Sequence, residues 1–416
     1  MPSADAASVA ALAGDGLRVL IVTPWPEGVT GGVQTTTRIL AEYLISRGHQ
    51  VDMLAPTGVL QDTETERPRG LYYRRMRMPF DPAHPIRSPL AYALTAPGDI
   101  VWIRRFLNRQ RIDVVNIHFP LGMFTNVAVA CIGGPPLVVS VHGSDLAPED
   151  SRVRLGRGVD LTLRLAAAII CPSETFAQEV GRLFPRYSGK LRVVSHGIGV
   201  TDLDATEPPW PRRYILYVGG LRPIKNVGTL IRAFGLVAGR NPNVDLVIAG
   251  SGPLRDELTT LCSDLDLRDR VQFLGSVPPA AVGRWQDHAA VVAAPCPRET
   301  FGLAVAEAMI RGRPVVVAAN GALQGLVEDG VTGLVASAED PDQFGHAIER
   351  LLSDQSLATR MGQAGRDTVQ RRVSPAAMVQ GYERVFNDVL APGSHSSTSQ
   401  IEDRNSITRP DPDRPT

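Results

Sequence analysis

The sequence predicts an α/β protein made of two doubly wound, Rossmann-like halves that face a central cleft. Three observations predict it. A short β-branched run, a glycine-rich turn and a helix-period segment recur along the chain, which is the pattern of parallel βαβ units. The pattern breaks after His196-Gly197 at a linker-like stretch with Asp202, Asp204, Glu207, Pro208, Pro209 and Pro211, then restarts at Tyr214. A length of 416 residues suits about two or three domains whose cores need no staples.

The elements follow in order. Leu17 to Thr23 is an apolar run expected as a buried strand, followed by a loop with Gly28, Gly31 and Gly32. A helix is expected from about Val33 to Arg47, with Ile39, Leu40, Tyr43 and Leu44 on one face and Gly48 ending it. Further strands are expected at 51–54, 113–118, 137–141, 168–171 and 191–194. After the linker they are expected at 214–218, 244–249, 271–274, 290–294 and 314–317. The boundaries expected from this pattern are a disordered 1–16, a first domain 17–200, a linker 201–213 and a second domain 214–373. The tail 391–416 has almost no apolar residues and is expected to be disordered.

Composition limits the function. The 43 Lys and Arg balance 43 Asp and Glu, so a globally basic nucleic-acid binder is disfavoured. Lysine occurs only at Lys190 and Lys225, and every other cation is arginine. Cys131, Cys171, Cys262 and Cys296 are far apart, with no metal-ligand spacing, so reduced thiols in a cytoplasmic protein are expected. Residues 1–16 lack a basic n-region, and no apolar run approaches membrane-span length, so neither a signal peptide nor a membrane crossing is expected.

Four segments carry chemistry. The first, Arg298 to Val317, places Glu299 in a loop after a buried strand and Glu307 on the second turn of a helix starting near Gly302. The backbone N–H groups of Phe301, Gly302 and Leu303 lie between the two carboxylates. Carboxylates accept from sugar hydroxyls and helix-terminal amides favour phosphate, although a dipole-favoured Glu and a solvated Glu would look the same. The second, Gly219 to Asn226, is a strand-to-helix turn carrying Arg222 and Lys225, two cations able to converge on a diphosphate. The third is the pair of glycine loops at 28–34 and at Gly250-Ser251-Gly252-Pro253. Both follow strands, and both miss the spacing of a nicotinamide-dinucleotide fingerprint. The fourth is His142-Gly143-Ser144-Asp145 at a strand end. His142 is able to donate to a substrate oxygen there, and Asp145 to orient it or bind acceptor; a structural His and a capping Asp fit equally.

Taken together, G-G-V after the first strand, H-G-x-D, G-G-L-R-x-x-K, A-G-x-G-P and E-x7-E resemble the family-4 retaining glycosyltransferases, from Leu17 to about Leu390. The resemblance implies the GT-B fold, with a nucleoside-diphosphate-sugar donor held by the second domain and an acceptor held by the first. It implies that Glu307 binds the ribose and that Glu299 and His142 sit beside the transferred sugar. Arg222 and Lys225 would clamp the diphosphate, completed by Gly31, Gly32, Gly250, Gly252 and the 301–303 amides. It also implies a last helix, at 374–390, that returns to the first domain. One departure is Ser195-His196-Gly197-Ile198-Gly199, where the family usually has Asn-Gly and then an Asp, which leaves the local turn chemistry open.

With two cations on the leaving diphosphate, no metal cofactor is expected. Asp-x-Asp patterns occur at 202–204, 264–266, 340–342 and 411–413, in a linker, a helical or turn segment, a helix start and the tail. A nucleotide-sugar epimerase of the same architecture would use the same donor cleft without a second substrate, and an inactive sugar-nucleotide-binding protein is a further alternative. For the acceptor, residues 67–111 hold ten arginines against Asp81 and Asp99, with Tyr72, Tyr73, Trp102 and Phe106 among them. Arg74 and Arg75 are candidate acceptor contacts. This face is expected either to dock on an anionic membrane surface or a phosphorylated lipid-linked acceptor, or to be an ordinary solvated face. A glycan or small-molecule acceptor is equally compatible.

Overall fold

The computed structural model describes residues 16–24, 32–56, 71–76, 88–120, 124–143, 145–146, 157–199, 207–319 and 321–391. Expectations for 1–15, for the tail beyond 391 and for Gly28 and Gly31 lie outside them. Two parallel sheets form the architecture. The first contains β1 (Arg18–Val22), β2 (Gln50–Pro56), β3 (Leu71–Met76), β4 (Val114–His118), β5 (Leu137–Ser140), β6 (Ala168–Cys171) and β7 (Leu191–Val193), in the order β3-β2-β1-β4-β5-β6-β7. The second contains β8 (Arg213–Val218), β9 (Val244–Ala249), β10 (Val271–Gly275), β11 (Val291–Ala294), β12 (Val315–Ala318) and β13 (Leu334–Ala336), in the order β10-β9-β8-β11-β12-β13.

Central strands such as β6 and β12 are continuous apolar runs because helices cover both faces of each sheet, so alternation gives no advantage, whereas β4 carries Asn116 and His118 and β9 carries Asp245. In β1 every residue from Val19 to Val22 is buried, and all of β4, β5, β6, β9 and β12 is buried. The expected strands are found within one or two residues of their predicted ends, and two strands were not predicted. Edge strand β3 reads Leu-Tyr-Tyr-Arg-Arg-Met and pairs only with β2, so it carries no buried-strand signature. Strand β13 is three residues long, shorter than a periodic signal.

The first helix runs Gly32–Ser46 and buries Thr36, Thr37, Leu40, Ala41 and Leu44. This face is rotated from the expected one: Tyr43 is 38% exposed. Gly48, at φ +92°, ends the segment in the left-handed region.

In each sheet the order reverses between two neighbouring strands, β1 and β4 in the first and β8 and β11 in the second. Such switch points open a crevice at the carboxyl ends of the strands. The chain's last helix, Pro375–Leu390, is N-capped by Ser374 and crosses back to the first domain. There Met378, Tyr382 and Phe386 enter a core with Val19, Ile21, Leu40, Leu44 and Val51. Glu383 on the same helix pairs with Arg47 at 2.6 Å and His49 at 2.9 Å.

Candidate active site

The carboxyl ends of β5, β8 and β11 meet at one cavity of about 490 Å³. Its walls include Gly32 and His142 from the first domain, His196 before the linker, and Gly219, Gly220, Lys225, Cys296, Glu299, Phe301, Leu303 and Glu307 from the second. At Gly32 the helix of the first domain approaches the second so closely that an added Cβ would stand 2.8 Å from Leu303 Cδ1.

Lys225 is presented by a 3-10 turn, Pro223–Lys225, that follows β8. Asn226, in the left-handed conformation at φ +54°, ends this turn. Its amide donates to the Ala338 carbonyl at 2.6 Å and the Pro295 carbonyl at 3.3 Å, tying the turn to the loops after β11 and β13. The ammonium of Lys225 lies 2.6 Å from Glu299 Oε2, so the loop after β11 sets the direction of the cation.

That loop is anchored across the cleft. Thr300 Oγ1 donates to the His142 carbonyl at 2.8 Å, Ser173 Oγ donates to the Thr300 carbonyl at 2.7 Å, and Arg298 pairs with Glu179 at 2.8 Å. The helix that follows is Leu303–Ile310, with Gly302 at φ +90° as its cap and Ala306 N–H donating to the Gly302 carbonyl. The N–H groups left without a helical partner are those of Gly302, Leu303, Ala304 and Val305, a set that includes Gly302 and Leu303 of the three expected amides. Phe301 precedes them. Glu307 lies one turn further on. Burial holds its carboxyl above the usual range, while a hydrogen bond with Gln286 and the nearby Arg311 oppose the shift.

His142 stacks on His196, with ring centroids 5.3 Å apart and planes at 10°, and His196 meets the Phe301 ring edge-on at 4.9 Å. His196 therefore completes a wall of the cavity, although at the level of sequence it registered only as an unusual turn residue. Sequence reasoning also missed Thr300, whose position beside the E-x7-E pattern was the available signal.

Two expectations are corrected. Asp145 does not face an acceptor: both its carboxylate oxygens are taken by its own turn, accepting from His142 N–H at 2.9 Å and Gly143 N–H at 2.7 Å. Burial nevertheless pushes its pKa up to about 6. Gly250 and Gly252 do not line the cavity but support the loop that does. A Cβ on Gly250 would fall 1.8 Å from the Gly219 carbonyl oxygen, and one on Gly252 would fall 2.4 Å from that of Leu221. Arg222 is exposed and immediately precedes the turn that presents Lys225.

Arg74 and Arg75 lie on β3, the outermost strand of the first sheet, paired in register with Leu54 and Ala55. The Asp-x-Asp pairs that are described have local roles. Asp264 closes a helix, and Asp340 caps another by accepting from Gln343 N–H at 3.0 Å. Residues 202–204 and 411–413 lie outside the described residues.

Comparison with known proteins agrees with this geometry. Residues 30–201 match the family model Glycosyltransferase Family 4, and residues 202–368 match Glycosyl transferases group 1. An uncharacterised glycosyltransferase of Methanocaldococcus jannaschii is 29% identical, over 81% of this chain and 90% of its own. A D-inositol 3-phosphate glycosyltransferase of Frankia alni is 27% identical, over 88% of this chain and 97% of its own. Among solved structures, sucrose-phosphate synthase of Thermosynechococcus elongatus is similar at a TM-score of 0.71 and 22% identity, covering 90% of this chain and 99% of that one. HepE of Anabaena, in complex with UDP and glucose, is similar at a TM-score of 0.71 and 19% identity, over 89% of this chain and 100% of that one. By its motifs, its two facing sheets and these matches, the chain belongs to the family-4, group 1 glycosyltransferases of GT-B fold.

Proposed function

We propose that the protein transfers a sugar from a nucleoside-diphosphate sugar to an acceptor hydroxyl, with retention at the anomeric carbon and without a metal ion. The observation that carries this reading is the convergence of Lys225, Glu299, Glu307 and the first turn of the Leu303–Ile310 helix on one interdomain cavity. The solved relative with UDP and glucose bound supports a nucleotide-sugar donor.

The leaving group is a nucleoside diphosphate, and Lys225 with the amides of Leu303, Ala304 and Val305 would hold its charge as the anomeric bond breaks. Preorganised donors of this kind are commonly the largest catalytic contribution. The new bond forms between the anomeric carbon and the acceptor oxygen on the face the phosphate leaves. The acceptor's proton passes to a departing phosphate oxygen. No carboxylate needs to act as nucleophile: Glu299, ion-paired to Lys225, is suited to charge stabilisation beside the sugar, and Glu307 to the ribose.

A panel of nucleoside-diphosphate sugars read by released nucleoside diphosphate tests the activity, and adding EDTA tests metal independence. Turnover unaffected by EDTA is expected, and a large loss would overturn the cation-and-amide clamp. A donor-only NMR time course separates transfer from epimerisation.

An anionic surface as docking partner finds support in the helix Ser88–Gln110, which leaves Val101 at 47% and Trp102 at 46% exposed beside the exposed Arg105 and Arg109. Co-sedimentation with anionic but not neutral liposomes is expected, weakened in Trp102→Ser. Equal binding to both lipids would remove the idea.

A further inference from the structure

His118, fully buried on β4, stands with His142 and His196 from the loops after β5 and β7, and hydrogen bonds fix where the protons of His118 and His142 lie. Asn116, on β4, is fully buried. Its amide nitrogen donates to the Val138 carbonyl at 3.3 Å and to Ser140 Oγ at 3.0 Å. A backbone carbonyl only accepts, so the amide has one orientation, and its Oδ1 is the atom 2.7 Å from His118 Nε2. The His118 proton is therefore on Nε2.

A neutral imidazole carries a single N–H, so His118 Nδ1 is an acceptor, and the His142 Nε2 that lies 3.2 Å away must bring the proton. The same counting leaves His142 Nδ1 with a lone pair. That atom is buried and has no hydrogen-bond partner among the described residues, on a side chain that lines the donor cavity. Burial keeps these rings neutral, pushing His118 down to about 3 and His142 well below the ordinary histidine range. At the other end, Ser140 Oγ lies 3.1 Å from the Tyr382 hydroxyl, so the chain of bonds terminates on the C-terminal helix.

We propose that Asn116 and His118 are positioning residues that hold His142 in its Nε2–H tautomer, so that it meets the substrate as a hydrogen-bond acceptor through Nδ1. The sequence alone suggested the opposite polarity, a donor. The identity of the partner, a sugar hydroxyl, rests on the glycosyl-transfer reading; the tautomer does not. With Nδ1 as acceptor, a ligand that brings a hydroxyl hydrogen satisfies a buried atom that nothing else reaches. One that brings an ether oxygen there leaves two lone pairs opposed.

The test is long-range 15N–1H correlation on the full-length chain labelled at histidine nitrogens, without donor, with His142→Gln to assign the signals. An unprotonated Nδ1 and protonated Nε2 on His142 are expected. Asn116→Leu, which removes the acceptor for His118, and His118→Phe, which removes the acceptor for His142, are each expected to shift His142 toward Nδ1–H. A wild-type ring already protonated on Nδ1 would overturn the proposal, and so would an unchanged tautomer in both variants. With the donor found by the panel, Asn116→Leu is expected to lower kcat about tenfold with donor KM changed less than about twofold, as loss of one hydrogen bond in the transition state would do. A panel that yields no donor while the tautomer is as expected would end the transfer reading and leave this assignment standing. Turnover by a protein whose His142 carries its proton on Nδ1 would do the reverse.

Discussion

Glu299 and Glu307 are eight residues apart, yet one is held by a cation and the other by burial. Glu299 sits against Lys225 at 2.6 Å, beside the atoms that would carry charge in the transition state. Glu299→Ala is expected to lower kcat on the order of a hundredfold, the scale for losing a preorganised electrostatic contact. Glu307 packs further back against Gln286, where it would contact the ribose equally in ground and transition states. Glu307→Ala is expected to raise donor KM about tenfold with little change in kcat, and steady-state kinetics on both variants would show whether the roles divide this way.

The buried histidines give a pH prediction. His118 and His196 titrate at about 3 and about 4 in the folded chain against an ordinary 6.5, so the unfolded chain takes up protons that the native one refuses. Their contribution to stability is complete above about pH 6.5 and is lost as pH falls toward 4, by about 1.4 kcal/mol per pH unit for each proton. Asp145, raised to about 6, works in the opposite sense between pH 4 and 6, since its native form holds a proton more tightly. Urea midpoints measured from pH 7.5 to 4.5 should therefore fall, and His196→Phe should flatten the fall. Residues with a local signature were legible in the sequence: Glu299, Glu307 and Lys225 stand in short motifs. His196 was not, because its stacking on His142, 54 positions earlier, exists only once the two chain segments are brought side by side. Asp145 was misassigned for the converse reason, its partners being the backbone of its own turn.

Among elements, the Pro375–Leu390 helix contributes most to a domain far from it in sequence. Tyr382 is 1% exposed and Phe386 is fully buried, both against the first sheet. Tyr382→Ala is expected to cost about 3–5 kcal/mol, measured by denaturant unfolding, as for other large aromatics removed from a core. Gly381 faces Val194 so closely that a Cβ would stand 2.6 Å from its Cγ1, which fixes how deeply the helix can seat. At the start of the Leu303–Ile310 helix, Gly302 combines φ +90° with a Cβ position 2.3 Å from Leu323 Cδ2. Gly302→Ala is expected to destabilise the fold by more than about 1 kcal/mol and to displace the helix amides, visible as a lost donor affinity. Central strands such as β6 and β12 were readable because uninterrupted burial leaves an uninterrupted apolar run. Edge strand β3 was not, because a strand with one neighbour is free to carry adjacent arginines.

For the whole molecule, the two sheets present their carboxyl edges to one another, and the cleft is tied where Thr300, Ser173 and Arg298 reach across. Which halves face each other was legible from the repeat and the linker; the pairing of particular loops across the cleft was not, since no periodicity encodes it. The return of the last helix has a consequence for synthesis. Residues of the first domain emerge from the ribosome before the second sheet, but part of their core, Met378 to Phe386, follows that sheet. Until then the core holding Leu40, Leu44 and Val51 lacks Met378, Tyr382 and Phe386, so the first domain cannot reach its final stability as a separate product. Synthesis through Phe386, beyond the whole second sheet, rather than completion of the first half, is the event that closes its core.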